Sequence, residues 1–360
     1  MDGGTRVLFL AGREPTYTRN AVILGGLKQA GVDLIECTDS SSTYAARYTK
    51  VLLDFLSKRK ESVDLIYVGF FGQPLLPIIR QFTNIPVIFD AFLSAYDTMC
   101  FDRRAVVPDR AVGKFLFWLD KTSCEMANKV LLDTRAHIDY FVSTFGLRKT
   151  SFERVFVGAD DSLFYPREGQ RRNSHFVVFY YATYKPLHGV ETIVEAAKRL
   201  ETHPEIRFRL VGTGQQYGPV RRLQRKLGVR NVEFIPWIPY ANLPMQIAKA
   251  DVCLGGHFSA VGKAQRVIPG KAFQFIAMRK PVILGDNVAT KELFEDNRNA
   301  LMVEMTDDEA LAEAILNLKN DDLLRSQIAE EGYRTFRERC HQGVLGDQLK
   351  GIAERLLDRG

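Results

Sequence analysis

The sequence predicts an α/β protein with two doubly wound domains that face each other across a cleft. Short apolar runs alternate with stretches of helical length, this plan occurs twice, and a polar segment separates the two copies. The chain has 360 residues, which is more than one hydrophobic core commonly organises. In doubly wound sheets ligands bind beyond the carboxyl ends of the strands, so we expect the chemistry in the loops that follow them.

The first domain, residues 1–166, shows the βαβ alternation of a parallel, Rossmann-like sheet. Its strands are expected at Arg6–Ala11, Asp33–Thr38, Asp64–Phe70, Pro86–Ala91, Lys129–Asp133 and Arg154–Gly158. Its helices are expected at Arg19–Ala30, Thr43–Arg59, Pro74–Phe82, Asp109–Ala127 and Arg135–Phe145.

The second domain, residues 174–342, repeats the plan after the polar linker Pro166–Ser174. Its strands are expected at His175–Tyr180, Ile206–Val211, Val232–Ile235, Asp251–Leu254, Pro281–Leu284 and Ala300–Val303. Its helices are expected at Gly189–Leu200, Gln215–Leu227, Asn242–Ala248, Pro269–Met278, Thr290–Phe294 and Asp307–Leu318. The tail Leu323–Leu357 is expected to form two further helices.

Composition excludes several classes of protein. The chain is 46% hydrophobic and 26% charged, without an uncharged apolar run long enough to span a bilayer, and its start resembles a first strand more than a signal peptide. Its five cysteines are scattered and form no Cys-x-x-Cys pair, which favours reduced thiols in the cytoplasm. No Asp-x-Asp motif or histidine spacing suggests a metal site.

The net charge of +6 suits anionic partners, but no interleaved aromatic and basic motif indicates nucleic acid. For one predicted helix, contact with a membrane surface is one of two interpretations. Its apolar residues occur at helical spacing beside basic ones, which fits either a core helix or a membrane-surface patch. The apolar residues are Val112, Phe115, Leu116 and Leu119, and the basic ones are Arg103, Arg104, Arg110 and Lys114.

Two loops of the first domain carry candidate residues. Asp90 ends an apolar run, where a carboxylate is costly unless partnered, so it either contacts substrate or has a structural hydrogen-bonding role. The loop after the first strand lacks Gly-x-Gly-x-x-Gly, and its Arg13, Arg19 and Asn20 either point into the cleft or form a solvated turn.

The second domain offers a site for an anion. Thr183, Lys185 and His188 flank a helix start at Gly189, and backbone N–H groups there attract negative charge by roughly 0.3–1 kcal/mol. A diphosphate needs more, so cations from another loop must contribute. The basic loop with Lys263, Arg266 and Lys271 would supply them, and Gly212 and Gly214 form a second strand–turn–helix junction.

These segments resemble glycosyltransferase family 4, retaining enzymes of the GT-B fold. The stretch from Lys185 to Ala197 is similar to the family's Pro-x-Lys-Gly segment, Gly212–Gly214 to its Gly-x-Gly turn, and Ala277–Ile283 follows its spacing. The chain also departs from the family. Thr183 and His188 replace its diphosphate-gripping Arg and Lys, Arg266 and Gln274 replace its Glu-x7-Glu pair, and Asp90 replaces a His.

The resemblance implies a retaining, metal-independent glycosyltransferase that uses a nucleoside-diphosphate sugar and no bound cofactor. The second domain would bind this donor, the first a glycan, lipid-linked or small-molecule acceptor, and a helix over 343–360 would return to the first domain. We expect the protein in the cytoplasm or at the inner face of the membrane. A GT-B nucleotide-sugar 2-epimerase and a non-catalytic nucleotide-binding module remain alternatives. The predicted catalytic residues are Asp90, His188 and Arg266, and the nucleotide-binding residues are Thr183, Lys185, Gly189, Gly212, Gly214, Lys263, Lys271 and Gln274.

Overall fold

The computed structural model describes residues 5–167 and 175–358, so most of the expected linker lies outside the described residues. The strands are β1 Arg6–Leu10, β2 Asp33–Cys37, β3 Leu65–Val68, β4 Val87–Asp90, β5 Lys129–Leu132, β6 Phe152–Arg154, β7 Phe176–Tyr181, β8 Ile206–Val211, β9 Val232–Ile235, β10 Val252–Gly256, β11 Val282–Gly285 and β12 Leu301–Val303. The helices are α1 Thr18–Gln29, α2 Tyr44–Lys58, α3 Leu76–Ile79, α4 Ala95–Asp97, α5 Ala111–Met126, α6 Arg135–Phe145, α7 Val190–Arg199, α8 Tyr217–Leu227, α9 Leu243–Ala248, α10 Gly270–Ala277, α11 Asp308–Asn320, α12 Asp322–Arg339 and α13 Gln342–Leu357.

The chain divides into two compact units, the first comprising Met1–Asp160 with Arg339–Gly360 and the second Asp161–Glu338. Each unit contains one six-stranded sheet whose strand pairs are all parallel. The strand order is β2-β1-β3-β4-β5-β6 in unit 1 and β12-β11-β10-β7-β8-β9 in unit 2. Both sheets therefore reverse their winding once, between β1 and β3 in unit 1 and between β7 and β10 in unit 2.

The apolar runs of the sequence form strands because the sheets are covered by helices on both faces, as parallel sheets require. All four residues of β3 and of β4 are buried. In unit 1 the sheet packs on Phe55 of α2 and Phe141 of α6. In unit 2 it packs on Ile193 of α7 and Ile315 of α11. The predicted order of strands and helices thus holds in both units.

Several predicted elements differ in extent. The helix expected over Pro74–Phe82 is only the short α3, and the one expected over Thr290–Phe294 is a 3-10 turn at Thr290–Glu292. The strand expected at Arg154–Gly158 lies earlier, at β6. Between β4 and α5 the sequence indicated no helix, yet α4 leads into a π-helical turn at Thr98–Asp102.

The last helix, α13, packs against α1 within unit 1. Glycines permit this close approach, because a Cβ added at Gly346 would lie 2.0 Å from the carbonyl oxygen of Gly26. Polar contacts support it: Gln29 Nε2 donates to Gln342 Oε1 at 3.3 Å and Lys350 Nζ donates to the Ala30 carbonyl at 3.3 Å. None of the helices in the described ranges combines the length and the hydrophobicity that a membrane span needs.

Candidate functional site

The candidate site of unit 2 lies where the winding of its sheet reverses. The loops after β7 and β10 meet at the carboxyl edge, on either side of this reversal. The Phe258 N–H donates to the His188 carbonyl at 3.3 Å, and the Ser259 hydroxyl donates to the Leu187 carbonyl at 2.7 Å. The Thr192 hydroxyl of α7 donates to the Phe258 carbonyl at 3.2 Å. These bonds hold the two loops and the start of α7 as one assembly.

Gly189 immediately precedes α7 and is required by its position. Its φ of 63° is left-handed, and a Cβ there would lie 2.4 Å from the carbonyl carbon of Phe258. The helix therefore begins one residue later than predicted, at Val190. No side chain caps this helix, so the N–H groups of its first turn remain available at the carboxyl edge of the sheet.

The Gly-x-Gly turn after β8 packs against the loop after β7. Gly212 and Gly214 have φ values of 136° and 140°, and a Cβ at Gly212 would lie 1.8 Å from the Ala182 carbonyl oxygen. The Tyr184 N–H donates to the Thr213 carbonyl at 2.8 Å. The described contacts thus give both glycines a role in positioning the neighbouring loop, whose Thr183 is exposed and whose Lys185 is half-buried.

Three basic side chains and a tyrosine form what we call the basic cluster: Lys271, His188, His257 and Tyr180. Lys271 Nζ donates to the Tyr180 hydroxyl at 3.4 Å and lies 4.5 Å from the centre of its ring. The same hydroxyl lies 3.1 Å from His188 Nδ1, and the rings of His188 and His257 are 5.3 Å apart. Lys271 is 7% exposed and Tyr180 is fully buried. The sequence indicated Lys271 and His188 but missed Tyr180, near the end of β7, and His257, directly after β10.

Burial sets the charge of this cluster. It lowers the pKa of Lys271 to about 7. Burial, followed by the nearby charge of Lys271, also lowers the pKa values of His188 and His257 well below that of free histidine. Among the described residues, no carboxylate forms an ion pair with Lys271. A bound anion would supply the missing counter-charge and raise the pKa of Lys271.

The basic loop and α10 complete the site. Lys263 is buried in the 3-10 turn Gly262–Gln265, and Arg266 follows it, half-buried. The helix expected over Pro269–Met278 is Gly270–Ala277, with no side chain capping its start and no acidic residue in its first turn.

Gln274 lies one turn beyond Lys271 on α10 and is 3% exposed. Its Nε2 donates to the Tyr240 hydroxyl at 2.9 Å. Its Oε1 is buried without a hydrogen-bond partner in the described structure. A buried acceptor is costly to leave unsatisfied, so this oxygen is available to a ligand hydroxyl.

Asp90 lies in unit 1. Of the two roles expected for it, its contacts correspond to the structural, hydrogen-bonding one. Its Oδ2 accepts from Arg19 Nε at 2.8 Å and its Oδ1 from Arg19 Nη2 at 3.1 Å. Arg19 also donates to the carbonyl of Phe156 at 2.7 Å, and both members of the pair are fully buried. Arg19 therefore ties α1 and β4 together, and because it is fully buried in unit 1 it has neither of its two expected placements, in the cleft or in a solvated turn.

Unit 1 also contains an aromatic cluster that the sequence did not indicate, at the carboxyl edge of its sheet. Phe70 contacts Tyr17 and Phe92, with ring centres 4.9 and 4.8 Å apart, and Phe71 contacts Tyr44 at 5.5 Å. Phe71 and Phe92 have left-handed φ values of 60° and 54°, which for bulky residues often mark functional sites. Aromatic residues in each loop after β1, β3 and β4 were the available signal. Arg13 lies 5.1 Å from the Tyr17 ring and donates to the Tyr44 hydroxyl at 2.9 Å.

A cavity of about 1110 Å³ lies at the opposite, amino-terminal edge of the unit 2 sheet, lined by residues such as Phe176, Arg207 and Asn231. Its lining contains no glycine turn, and the one helix start there, that of α12, carries the acidic Asp322. Anion binding therefore favours the carboxyl edge as the candidate site.

Comparisons with known proteins give a family match within unit 2. Residues 175–321, less than half of the chain, match the family model described as Glycosyl transferases group 1. The lipopolysaccharide core biosynthesis glycosyltransferase LpsE of Rhizobium meliloti is 27% identical over 149 residues, 41% of this chain and 41% of that protein. The putative colanic acid biosynthesis glycosyl transferase WcaI of Escherichia coli is 28% identical over 120 residues, 33% of this chain and 28% of that protein. The chain thus matches less than half the length of these curated relatives.

Solved structures resemble the whole chain at low sequence identity. Sucrose-phosphate synthase from Thermosynechococcus elongatus is 16% identical with a TM-score of 0.76, covering 99% of this chain and 100% of that one. Anabaena HepE, solved in complex with UDP and glucose, is 15% identical with a TM-score of 0.73, covering 98% of this chain and 100% of that one. Residues 175–321 thus match a glycosyl transferases group 1 domain, and the chain has the two-domain GT-B fold.

Proposed function

We propose that the protein is a retaining, metal-independent glycosyltransferase that moves a sugar from a nucleoside-diphosphate sugar to an acceptor. The observation that carries this proposal is the basic cluster of unit 2. Lys271 is buried in the first turn of α10, its Nζ donates to the Tyr180 hydroxyl that also contacts His188 just before α7, and none of the described carboxylates pairs with it. Leaving a buried charge unpaired is costly, so such a site is suited to a ligand that brings negative charge.

A diphosphate fits the arrangement better than a single carboxylate. The uncapped starts of α7 and α10 both offer N–H groups, and Lys271, Lys263 and Arg266 add charge from one segment. That Anabaena HepE was solved with UDP-glucose supports a nucleotide-sugar donor in this fold. Arg266 and Lys271 would compensate for Thr183 and His188, which stand where the resembling family has cations.

Gln274 would bind the nucleoside part of the donor. Its buried, unpartnered Oε1 can accept a hydrogen bond from a ribose hydroxyl while its Nε2 stays bonded to Tyr240. A glutamate in this place would accept through both oxygens, whereas the amide keeps one donor for the tyrosine.

The acceptor would bind to unit 1. The aromatic cluster there presents Tyr44, 40% exposed, beside Arg13, at the edge where the winding of that sheet reverses. Rings with polar tips suit a glycan, a lipid-linked sugar or a small hydroxylated molecule. Residence in the cytoplasm, with peripheral contact to the inner face of the membrane, belongs to the same proposal.

During transfer the sugar's anomeric C–O bond to the diphosphate breaks and a bond to the acceptor oxygen forms on the same face. The acceptor proton passes to the departing phosphate oxygen, so no side chain needs to change protonation. The basic cluster and the two helix starts stabilise the charge that develops on the leaving diphosphate. In this scheme His188 and Arg266 act on the leaving group, and Asp90 supports the fold of unit 1.

Incubation of the full chain with UDP-, GDP- and ADP-sugars and mixed acceptors tests this function. The expected result is acceptor-dependent release of nucleoside diphosphate, with the anomeric configuration retained and with activity unchanged by EDTA. Isomerised donor without acceptor would instead identify a 2-epimerase. Binding of a donor without turnover of any would identify a nucleotide-binding module. Loss of activity in EDTA, restored by a divalent ion, would overturn metal independence alone.

A further inference from the structure

Large apolar side chains are exposed together on unit 1, from the π-helical turn to the second turn of α5. We call them the exposed patch: Phe101, Val107, Val112, Phe115 and Trp118, each between 48% and 59% exposed. The rings of Phe115 and Trp118 are 5.7 Å apart and tilted by 30°, so they form one continuous apolar surface. Contiguous exposed apolar surface of this kind marks interaction sites more often than isolated residues do.

The expectation of a core helix at α5 holds for only one side of it. Leu119 and Cys124 are buried, and Phe117 packs on Tyr96 at 5.4 Å. Of the four apolar residues expected to share a core face, Val112 and Phe115 are exposed and Leu116 is half-buried. The core of unit 1 therefore leaves the outward side of α5 without an internal partner.

Four cations lie in the same segment as the exposed patch: Arg103, Arg104, Arg110 and Lys114, all exposed. Within the part of the chain that the structure describes, none of them forms an ion pair with a carboxylate. Asp102 is buried, so Asp109 is the acidic residue exposed in this segment. The patch thus combines aromatic rings with an excess of positive charge.

The shape of this surface is held by the backbone. A Cβ at Gly113 would lie 2.3 Å from the Pro108 carbonyl oxygen, so the loop before α5 rests directly on the helix. The Arg110 N–H donates to the Val107 carbonyl at 3.2 Å and the Ala105 N–H to the Met99 carbonyl at 2.9 Å. The patch is therefore preformed, and a partner that binds to it would not need to order this segment of the chain first.

We propose that the exposed patch docks onto the surface of an anionic lipid bilayer. Phe115 and Trp118 would enter the region between headgroups and acyl chains, where aromatic rings are favoured, and the four cations would contact lipid phosphates. The excess of unpaired positive charge favours a lipid surface over a second copy of this chain, which carries the same charge. This proposal assigns the peripheral membrane contact of the proposed function to one surface. Its test is independent of sugar transfer, since lipid binding needs neither donor nor acceptor.

Co-sedimentation of the full chain with vesicles tests it. Binding is expected to vesicles of phosphatidylglycerol mixed with phosphatidylcholine and not to pure phosphatidylcholine, and to weaken with added salt. The double variant Phe115→Ser/Trp118→Ser should lose this binding, whereas Trp237→Ser, at a 71% exposed position in unit 2, should keep it. Binding that is equal for both lipids, or unaffected by the double variant, would overturn the proposal.

Two further measurements separate lipid docking from other causes. The double variant Arg103→Ser/Lys114→Ser should weaken vesicle binding roughly thirtyfold, and the charge-matched control Arg225→Ser/Lys226→Ser on α8 should not. In a Trp237→Phe background, Trp118 is the one remaining tryptophan, and its emission should shift to the blue with anionic vesicles. If instead the patch variants convert a dimer to a monomer and leave vesicle binding intact, the surface is a subunit interface and the proposal fails.

Discussion

The two units share one architecture but treat buried charge differently at the carboxyl edges of their sheets. At this edge of unit 1 two buried carboxylates have basic side chains as partners: Asp90 pairs with Arg19 at 2.8 Å, and Asp133 Oδ1 lies 2.8 Å from His137 Nδ1. In unit 2 Lys271 is buried with a neutral tyrosine as its hydrogen-bond partner. The same position in the fold is thus electrostatically complete in one unit and incomplete in the other.

This difference distinguishes buried charges that stabilise the fold from a buried charge that a bound anion would neutralise. A buried ion pair is costly to break, because one partner is left without a counter-charge. A buried lysine without a counter-ion opposes folding, and its pKa falls as a result. The contrast predicts that removing a charge destabilises unit 1 but relieves unit 2, while only the second change affects nucleotide binding.

The largest effect is expected from Arg19→Ala. The substitution leaves Asp90 buried without its partner, and we expect the free energy of unfolding to fall by about 3–5 kcal/mol. Urea denaturation followed by circular dichroism measures this. The double variant Arg19→Met/Asp90→Leu, which removes both charges, should recover much of the loss. Equal losses in the single and double variants would show that packing, not charge pairing, holds this site.

Lys271→Met is expected to act in the opposite way. Loss of a buried cation should leave the free energy of unfolding of the empty protein unchanged or higher, but should weaken binding of a nucleoside diphosphate by about 2–4 kcal/mol. Calorimetric titration with UDP, GDP and ADP measures the affinity.

Lys280→Met is the matched control, because Lys280 Nζ donates to the Ala248 and Ala250 carbonyls at the other edge of the sheet. It should reduce stability without reducing nucleotide affinity. Unchanged affinity in Lys271→Met would contradict the assignment of the diphosphate site.

The pH dependence of nucleotide binding tests whether the unpaired Lys271 is the residue that binds the anion. Because burial lowers the pKa of Lys271 to about 7 in the empty protein, the anion binds best at lower pH, where this lysine is charged. Affinity for nucleoside diphosphate should therefore fall as pH rises above about 7, by up to tenfold per pH unit. In Lys271→Arg the guanidinium stays charged, and the decline should disappear. The same decline in this variant would assign the titration to another group.

The smallest effect is expected from Gln274→Ala, which removes a neutral hydrogen-bonding group. Binding of nucleoside diphosphate should weaken by about 0.5–1.5 kcal/mol, while binding of inorganic pyrophosphate stays the same. Parallel titrations with the two ligands separate the contributions. If pyrophosphate binding weakens equally, Gln274 supports the diphosphate site and does not contact ribose.

Much of the fold followed from local patterns. The alternation of apolar runs and helices predicted both sheets, because strands buried on two faces need continuous apolar residues. The short elements around α4 and the Thr290–Glu292 turn were missed or overextended, because a single turn leaves no periodicity to detect. The loops of the candidate site were also predictable, since carboxyl ends of parallel strands lie at one edge.

The sequence by itself determined the order of the elements, the repeated α/β plan and the presence of cations such as Lys271 between two strands of the second sheet. Tertiary structure decided which charges are paired: Asp90 meets Arg19 from a position 71 residues away, and Lys271 meets Tyr180 from one 91 residues away. It also decided that Phe115 and Trp118 face outward. The periodicity of a sequence shows which residues share one face of a helix or strand. Whether that face is buried, and which side chains it contacts, depends on what the rest of the chain packs against it.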